Sequence, residues 1–543
     1  MIKRNIATEE IKSVSAFFED HRRLFFMLAG TMYILLSILI FNLRISEGGD
    51  DSSYIIRAYD FLKEGRFPTY QGPLYPIVLS LCIAIFGLKI SILKITSWIF
   101  LSAGLLFYYR SYRGQVSPIA LWGCVFALVV NHHFLYYGSQ TYSEAFFFMV
   151  QGLLFFYLNR IITEKGTDSR VRDVFLLSLF LVVLGFTRTV GFVAFPALLV
   201  FLLVLRRFKD GLRVVLFFTA ISGVLFLLQY YIFEVTPLQG GQADSLLHKH
   251  PYDFTSGRET FSGFLVRFVV NSHNYLSRHF MILTGFKPAL SLAVHKPVTL
   301  GLYFVLIGGL WHFIRKNPLM LFTGIYLFFM LGATFISLQP LWNQQRLIIP
   351  FFPLMVLFLS ETMVSVLGAG KMRGLVRIPI ILLFLSIVLS FVQTIRHSDF
   401  KAVWENLGGD KYYGYTPDWE NYLKMAAYAG MQLPPESYVA CRKPNMARLF
   451  GDGKKFYGIY RFQSDDPDTL LHRLNETGVT HVLVASLRKN PRFNSGQVIN
   501  TIHRYLAIIT KKYPHVFVLC KKIGDEEPAW LLKVDYEGVG YGE

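Results

Sequence analysis

Charge is scarce in this chain: only 17% of its 543 residues are Asp, Glu, Lys or Arg, against about 25% in typical soluble domains. Together with 53% hydrophobic residues and a mean hydropathy of +0.41, that shortage excludes an ordinary soluble enzyme and leaves a polytopic membrane protein. No phosphate-cradling glycine loop of the G-x-x-x-x-G-K-S/T type occurs, which argues against a nucleotide-driven pump. There is no internal repeat and no low-complexity tract. Cysteine is sparse, at four residues; Cys82 and Cys124 fall in apolar segments, while Cys441 and Cys520 fall in the polar C-terminal part, where a disulfide is permitted but not required. The histidine pairs His132-His133 and His248-Lys249-His250 lack metal-site spacing with third and fourth ligands.

Long apolar runs are abundant. A spanning helix needs about 20 mostly apolar residues, and windows of that kind occur at 24–43, 90–109, 117–134, 142–162, 174–190, 192–205, 214–233, 298–314, 319–338, 347–367 and 378–395. They predict about 11 spans. The run 74–88, which begins Gly72-Pro73-Leu74-Tyr75-Pro76, is too short and reads as interfacial or re-entrant. With that choice the basic clusters Arg110/Arg113, Arg160/Lys165/Arg170/Arg172, Arg206/Arg207/Lys209/Arg213, Arg315/Lys316 and Lys371/Arg373/Arg377 share one face with Lys3, Arg4, Arg22 and Arg23. By the positive-inside rule that face is cytoplasmic. The net charge of +18 is then mostly topogenic, and it is no sign of nucleic-acid binding.

This orientation predicts a cytoplasmic N-terminus at 1–23, uncleaved, and a transmembrane domain at 24–395. It puts the first loop at 44–89, the large loop at 234–296 and the C-terminal part at 396–543 together on the extracytoplasmic side. The C-terminal part alternates helical and strand patterns: helices over 419–431, 469–477 and 497–513, strands over 438–441, 481–484, 517–519 and 530–534. That alternation predicts a small α/β domain.

The chemistry concentrates at a few outer positions. Directly after the first span comes Gly48-Gly49-Asp50-Asp51-Ser52-Ser53-Tyr54, and adjacent carboxylates at a membrane surface are costly without a function. Ser52 or Asp51 suits the N-cap of a helix with Ile55, Ala58, Tyr59 and Leu62 on its apolar face, closed by Gly65 and lying flat on the membrane. Glu144 opens the fourth span; with Thr141 it has capping-box spacing, or it joins the aspartates as an acidic site that could hold a divalent cation or orient a hydroxyl. Arg188 and Arg346 break the basic-inside pattern. Arg346 is expected to open a helix, where the dipole disfavours a cation, so an anion should compensate it, and a guanidinium fork fits a phosphate. Each arginine could also be a snorkelling interfacial residue.

The order Asp50-Asp51, Tyr54, Ala58, Leu62-Lys63-Glu64-Gly65, Gly72-Pro73-Leu74-Tyr75-Pro76, then Ser143-Glu144, Thr187-Arg188 with Pro196, and Arg346-Leu347-Ile348-Ile349-Pro350-Phe351-Phe352-Pro353-Leu354 resembles the GT-C membrane glycosyltransferases. Within them it is most similar to the branch with protein O-mannosyltransferases and lipid A aminoarabinose transferases. The resemblance spans 24–395; it departs in Asp50-Asp51, where Asp-Glu is commoner, and in Gly72-Pro73, where two prolines are.

The resemblance implies a multi-pass protein of the plasma (inner) membrane. It would transfer a sugar, with inversion, from a polyprenyl-phosphate donor to a hydroxyl of a lipid, glycan or protein acceptor. On that reading Asp50 is the general base, Asp51 orients the acceptor or binds a metal, and Glu144 is a second acid. Arg346, with Arg188 or Lys63, holds the donor phosphate, and Tyr54 and Tyr75 line the substrate. Metal use stays open, with Asp51 and Glu144 as the candidate ligands. The rival readings are a polymerase or ligase that works through the 234–296 loop, and a lipid or solute transporter; against the transporter, the charges cluster at the outer surface and no halves repeat.

Overall fold

A run such as Phe208–Phe233, 26 residues long and without a charged residue after Arg213, can satisfy its backbone in hydrocarbon only as a helix. The computed structural model describes residues 14–164, 169–235, 242–251, 253–369, 373–460, 462, 464–489 and 496–537. Lys3, Arg4, Lys165 and Lys371 of the basic clusters lie outside the described residues.

Six described helices are long and apolar enough to cross a membrane: Arg22–Ile40, Ile90–Tyr112, Ser143–Thr163, Phe208–Phe233, Pro318–Ser337 and Arg377–His397. A seventh crossing is available if Pro118–Val129 and His132–Gly138, bent by 65° at the break between them, count as one. The bend has a local cause: the Asn131 side chain accepts from Phe134 N at 3.0 Å and caps a fresh helix inside the expected span. Four further predicted spans form the helices Val171–Thr187, Ala194–Val204, Lys296–Phe313 and Phe352–Ala369, of 17, 11, 18 and 18 residues. None of these combines the length and the apolarity of the six. Length and composition alone therefore give six or seven crossings among the described residues. Leu74–Phe86, with 13 residues, is shorter than a hydrocarbon core is thick.

The chain divides into two compact units. One comprises Met1–Phe41, Gly65–Val78 and Lys94–Phe400; the other comprises Asn42–Glu64, Leu79–Leu93 and Lys401–Glu543. The aspartate segment thus belongs with the C-terminal domain, although about 350 residues of chain intervene.

In the second unit a five-stranded sheet runs β2 (Phe456–Gly458), β1 (Val439–Cys441), β3 (His481–Val484), β5 (Ala529–Val534), β4 (Phe517–Ile523). β1 pairs parallel with β2 and β3, and β5 pairs antiparallel with β3 and β4. Every residue of β3 is buried, as a strand covered on both faces requires. The helices Pro467–Glu476 and Ile502–Lys512 supply Leu470, Leu471, Leu474, Ile502 and Ile509 to one core with Val482 and Val484, and Pro417–Gln432 packs on β3 and β5. Every predicted helix and strand of this region is present. The sequence reading missed β2 and the helices Phe400–Leu407 and Pro444–Phe450. The permitted disulfide does not form: Cys441 is a buried thiol on β1 and Cys520 an exposed one on β4. Three strand spacings of about 4.8 Å put them beyond disulfide reach.

Candidate active site

Two polar centres emerge, one in each unit. In the second unit the helix Asp50–Glu64 starts ahead of both expected cap positions, Asp51 and Ser52, so both aspartates lie inside its first turn. Neither serves as the N-cap. Gly49 precedes them at φ +88°, a conformation natural only to glycine, and its N–H donates to Ser46 O at 3.0 Å. Asp51 is fully buried, and its carboxylate accepts from Ser46 N (2.7 Å), Ser46 Oγ (3.2 Å) and Ser52 N (2.8 Å). Those bonds close the 46–52 turn. Asp50, one residue earlier, is exposed.

The C-terminal domain grips this segment along its length. The Tyr415 hydroxyl bridges Ile45, accepting from its N–H at 2.7 Å and donating to its carbonyl at 3.0 Å. Lys443 Nζ donates to Glu47 O at 2.6 Å, Asn445 Nδ2 to Ser53 Oγ at 2.8 Å, and Arg448 pairs with Asp60 at 2.6 Å. Tyr54, Ile55 and Ala58 form the buried face of the helix, while Leu62, expected there, is exposed. Gly65 ends the helix at φ +67°, as predicted. Lys63 is exposed in the last turn, 13 residues and about 20 Å of helix from Asp50. The helix therefore keeps Lys63 away from Asp50.

The centre of the first unit is built on Glu144. The expected capping box is absent: the helix Ser143–Thr163 begins at Ser143 without a side-chain cap, and Thr141 Oγ1 is buried without a hydrogen bond. The Glu144 carboxylate instead holds both outlying arginines on one oxygen. Arg346 Nε donates to Oε1 at 2.7 Å and Arg188 Nη1 donates to the same atom, while Oε2 is buried without a hydrogen bond. Glu144 is 1% exposed, and the two arginine side chains are 9% and 17% exposed. Neither arginine snorkels freely, and the anion that the sequence required beside Arg346 is this carboxylate.

Each member is positioned by its own element. Arg188 is extended (φ −148°, ψ 133°) where the helix Val171–Thr187 stops. Arg346 sits in the 3-10 turn Gln345–Leu347 rather than at a helix start, because Pro350 and Pro353 delay the next helix to Phe352. Its guanidinium lies 4.2 Å from the Tyr142 ring centroid, a cation–π contact. The preceding segment is tied down by Tyr275, which donates to Trp342 O at 2.6 Å, and by His279 on Asn343. Two turns along the Ser143–Thr163 helix, Gln151 donates to Pro350 O at 2.9 Å.

Gly72 fits the same picture. A Cβ there would collide with the carbonyl oxygens of Thr187 and Phe186, immediately before Arg188. The departure from the two-proline pattern thus lets backbone meet backbone. Gly72→Ala is expected to cost about 1–3 kcal/mol of stability by forcing this backbone contact apart. Thermal unfolding of the purified variant checks it.

Tyr75 is fully buried with its hydroxyl 3.2 Å from Ser97 Oγ, and Tyr54 is 3% exposed under Arg57. Sequence reasoning passed over Lys94, which is fully buried and donates to Gln140 Oε1 at 2.9 Å. A lysine within the apolar window 90–109 was the available signal. It also passed over Lys443 and Asn445, for which the sequence carried none.

The metal expectation does not fit these residues. Among the described residues no three His, Cys, Asp or Glu side chains form a group able to hold a metal ion. Glu144 lies against two guanidinium groups, which repel a cation, and Asp51 spends its carboxylate on the turn.

No protein-family model matches the chain, and no curated protein does. Solved structures do. ArnT from Cupriavidus metallidurans bound to undecaprenyl phosphate superposes with a TM-score of 0.56 at 12% identity, over 94% of this chain and 97% of that one. Its apo state gives 0.54 at 13%, over 94% and 98%. The Archaeoglobus fulgidus oligosaccharyltransferase, in complex with Zn and sulfate, gives 0.52 at 12%, over 93% of this chain and 73% of that one. At such identities the likeness is one of fold, and it extends over nearly the whole chain. The chain shares the fold of ArnT and of the archaeal oligosaccharyltransferase.

Proposed function

We propose that this chain is a membrane glycosyltransferase that moves a sugar, with inversion, from a polyprenyl-phosphate donor to a hydroxyl of a lipid, glycan or protein acceptor. The observation that carries the reading is the buried Glu144 holding the Arg188 and Arg346 guanidinium groups on one oxygen. Two guanidinium forks fixed side by side suit a phosphate better than any neutral solute. That ArnT, of the same fold, was crystallised with undecaprenyl phosphate supports a lipid phosphate as the ligand.

In the proposed reaction the acceptor hydroxyl gives its proton to Asp50 as its oxygen forms a bond to the anomeric carbon. The bond from that carbon to the phosphate oxygen breaks on the opposite face, and the lipid phosphate leaves with the electron pair. Arg346 and Arg188 stabilise the charge that develops there. Asp51 acts through the turn it closes, and Tyr54 and Tyr75 contribute walls. Lys63 drops out. The basic clusters support a cytoplasmic N-terminus and an extracytoplasmic C-terminal domain in a plasma membrane; about 11 crossings follow if the shorter apolar helices also cross.

The test is transfer of radiolabelled sugar from a panel of polyprenyl-phosphate donors into lipid, glycan and protein fractions, with the chain in liposomes. Label in one fraction, lost at least about 10-fold in Arg346→Ala, is the expected result. No transfer from any donor, with movement of the lipid or sugar across the bilayer instead, would turn the reading to a transporter.

A further inference from the structure

We propose that Lys443, in the C-terminal domain, is a positioning residue for Asp50, its ammonium fixing the 46–49 turn from which the catalytic helix starts; this rests on the function proposed above. Lys443 Nζ donates to Glu47 O at 2.6 Å and to Gly48 O at 3.3 Å, the two carbonyls just before Gly49 and Asp50. Inside the turn, Gly49 N–H donates to Ser46 O and the Ser52 and Ser53 hydroxyls donate to Gly49 O at 2.9 and 2.8 Å. Asn445, two residues beyond Lys443, reaches Ser53 Oγ from the same short helix. The lysine's own backbone is anchored, since the Tyr422 hydroxyl donates to Lys443 O at 3.1 Å and accepts from its N–H at 3.2 Å. The Asp50 turn is therefore set from two sides: from within by Asp51, and from the C-terminal domain by a cation on a fixed stem. The domain then works as part of the catalytic centre.

The lysine's surroundings give this role a pH signature. Burial, and then Arg442 beside it, lower its pKa from the usual lysine value to about 8, against the opposing pull of Asp50, Asp51 and Glu47. Below about pH 8 the ammonium grips the turn; above it the proton is lost and the charge-assisted bonds weaken. Wild-type turnover should fall as pH rises through 8. Arginine stays charged throughout this range.

The experiment compares wild type, Lys443→Met and Lys443→Arg in liposomes, by turnover from pH 6 to about 10 and by hydrogen exchange of the 46–53 amides. Lys443→Met is expected to lower kcat about 10–100-fold with the donor KM within about twofold and to speed exchange in 46–53. Lys443→Arg should retain turnover and move the alkaline limb upward by at least about one pH unit. Should Lys443→Met lose its fold, the Lys443→Arg profile decides alone. An unmoved alkaline limb, or a Lys443→Met chain with wild-type kcat and unchanged exchange, overturns the proposal. Absence of transfer by wild type from every donor would remove the transferase reading, while exchange in 46–53 would still report whether Lys443 fixes the turn.

Discussion

An Asp50→Asn chain, at matched abundance in membranes, is expected to transfer sugar about 10²–10⁴-fold more slowly than wild type, the range a positioned general base contributes, with the donor KM little changed. The structure separates this residue from its neighbour. Asp51 is buried and bonded to Ser46 and Ser52, so its replacement disturbs the turn. Asp50 is exposed, and exposed substitutions usually change stability by no more than about 0.5 kcal/mol. A large loss of turnover at unchanged thermal stability would therefore report chemistry rather than folding. Label transfer undiminished in Asp50→Asn would take the base away from this turn. A lowered melting temperature in Asp51→Asn, without a comparable fall in kcat once folded, is the control that keeps the two carboxylates distinct.

The long apolar helices and the α/β pattern of the C-terminal domain were legible because each is a periodic signal carried by many residues. The count of crossings was less so. Pro350, Pro353 and Asn131 shift or break helices inside apolar windows that hydropathy alone reads as continuous. At the sites, residue type was readable and partnership was not. Arg188 and Arg346 stood out as cations on the wrong face, and Glu144 as an acid at a span's mouth, yet nothing in the spacing of 44, 158 or 202 residues said they share one oxygen. The capping-box spacing of Thr141 and Glu144 pointed to a local partner where a distant one won, since two guanidinium groups offer a buried carboxylate more than a single backbone N–H. Lys443 and Asn445 were invisible for the same reason: they reach a segment roughly 390 residues away by fold alone.

Glu144→Gln should be the most damaging substitution in the first unit. Glutamine keeps the length and one acceptor oxygen but removes the charge that both guanidinium groups share. Taking one partner from a buried ionic cluster costs about 3–5 kcal/mol, because the charges left behind lose compensation without regaining water. Arg188 and Arg346 would then repel and separate, and kcat/KM for a polyprenyl-phosphate donor should fall about 10²–10³-fold as the developing phosphate charge loses its aligned donors. Glu144→Asp tests geometry at constant charge: a carboxylate one methylene shorter is drawn back from both arginines and should recover only part of the loss. A second readout needs no turnover. If Glu144 occupies the counter-ion position of an anion site, inorganic phosphate should raise the melting temperature of Glu144→Gln more than that of wild type, since the added anion replaces the missing charge. Equal response to phosphate in both chains, with transfer unimpaired in Glu144→Gln, would reduce the cluster to a structural ion pair and leave the donor phosphate to be bound elsewhere.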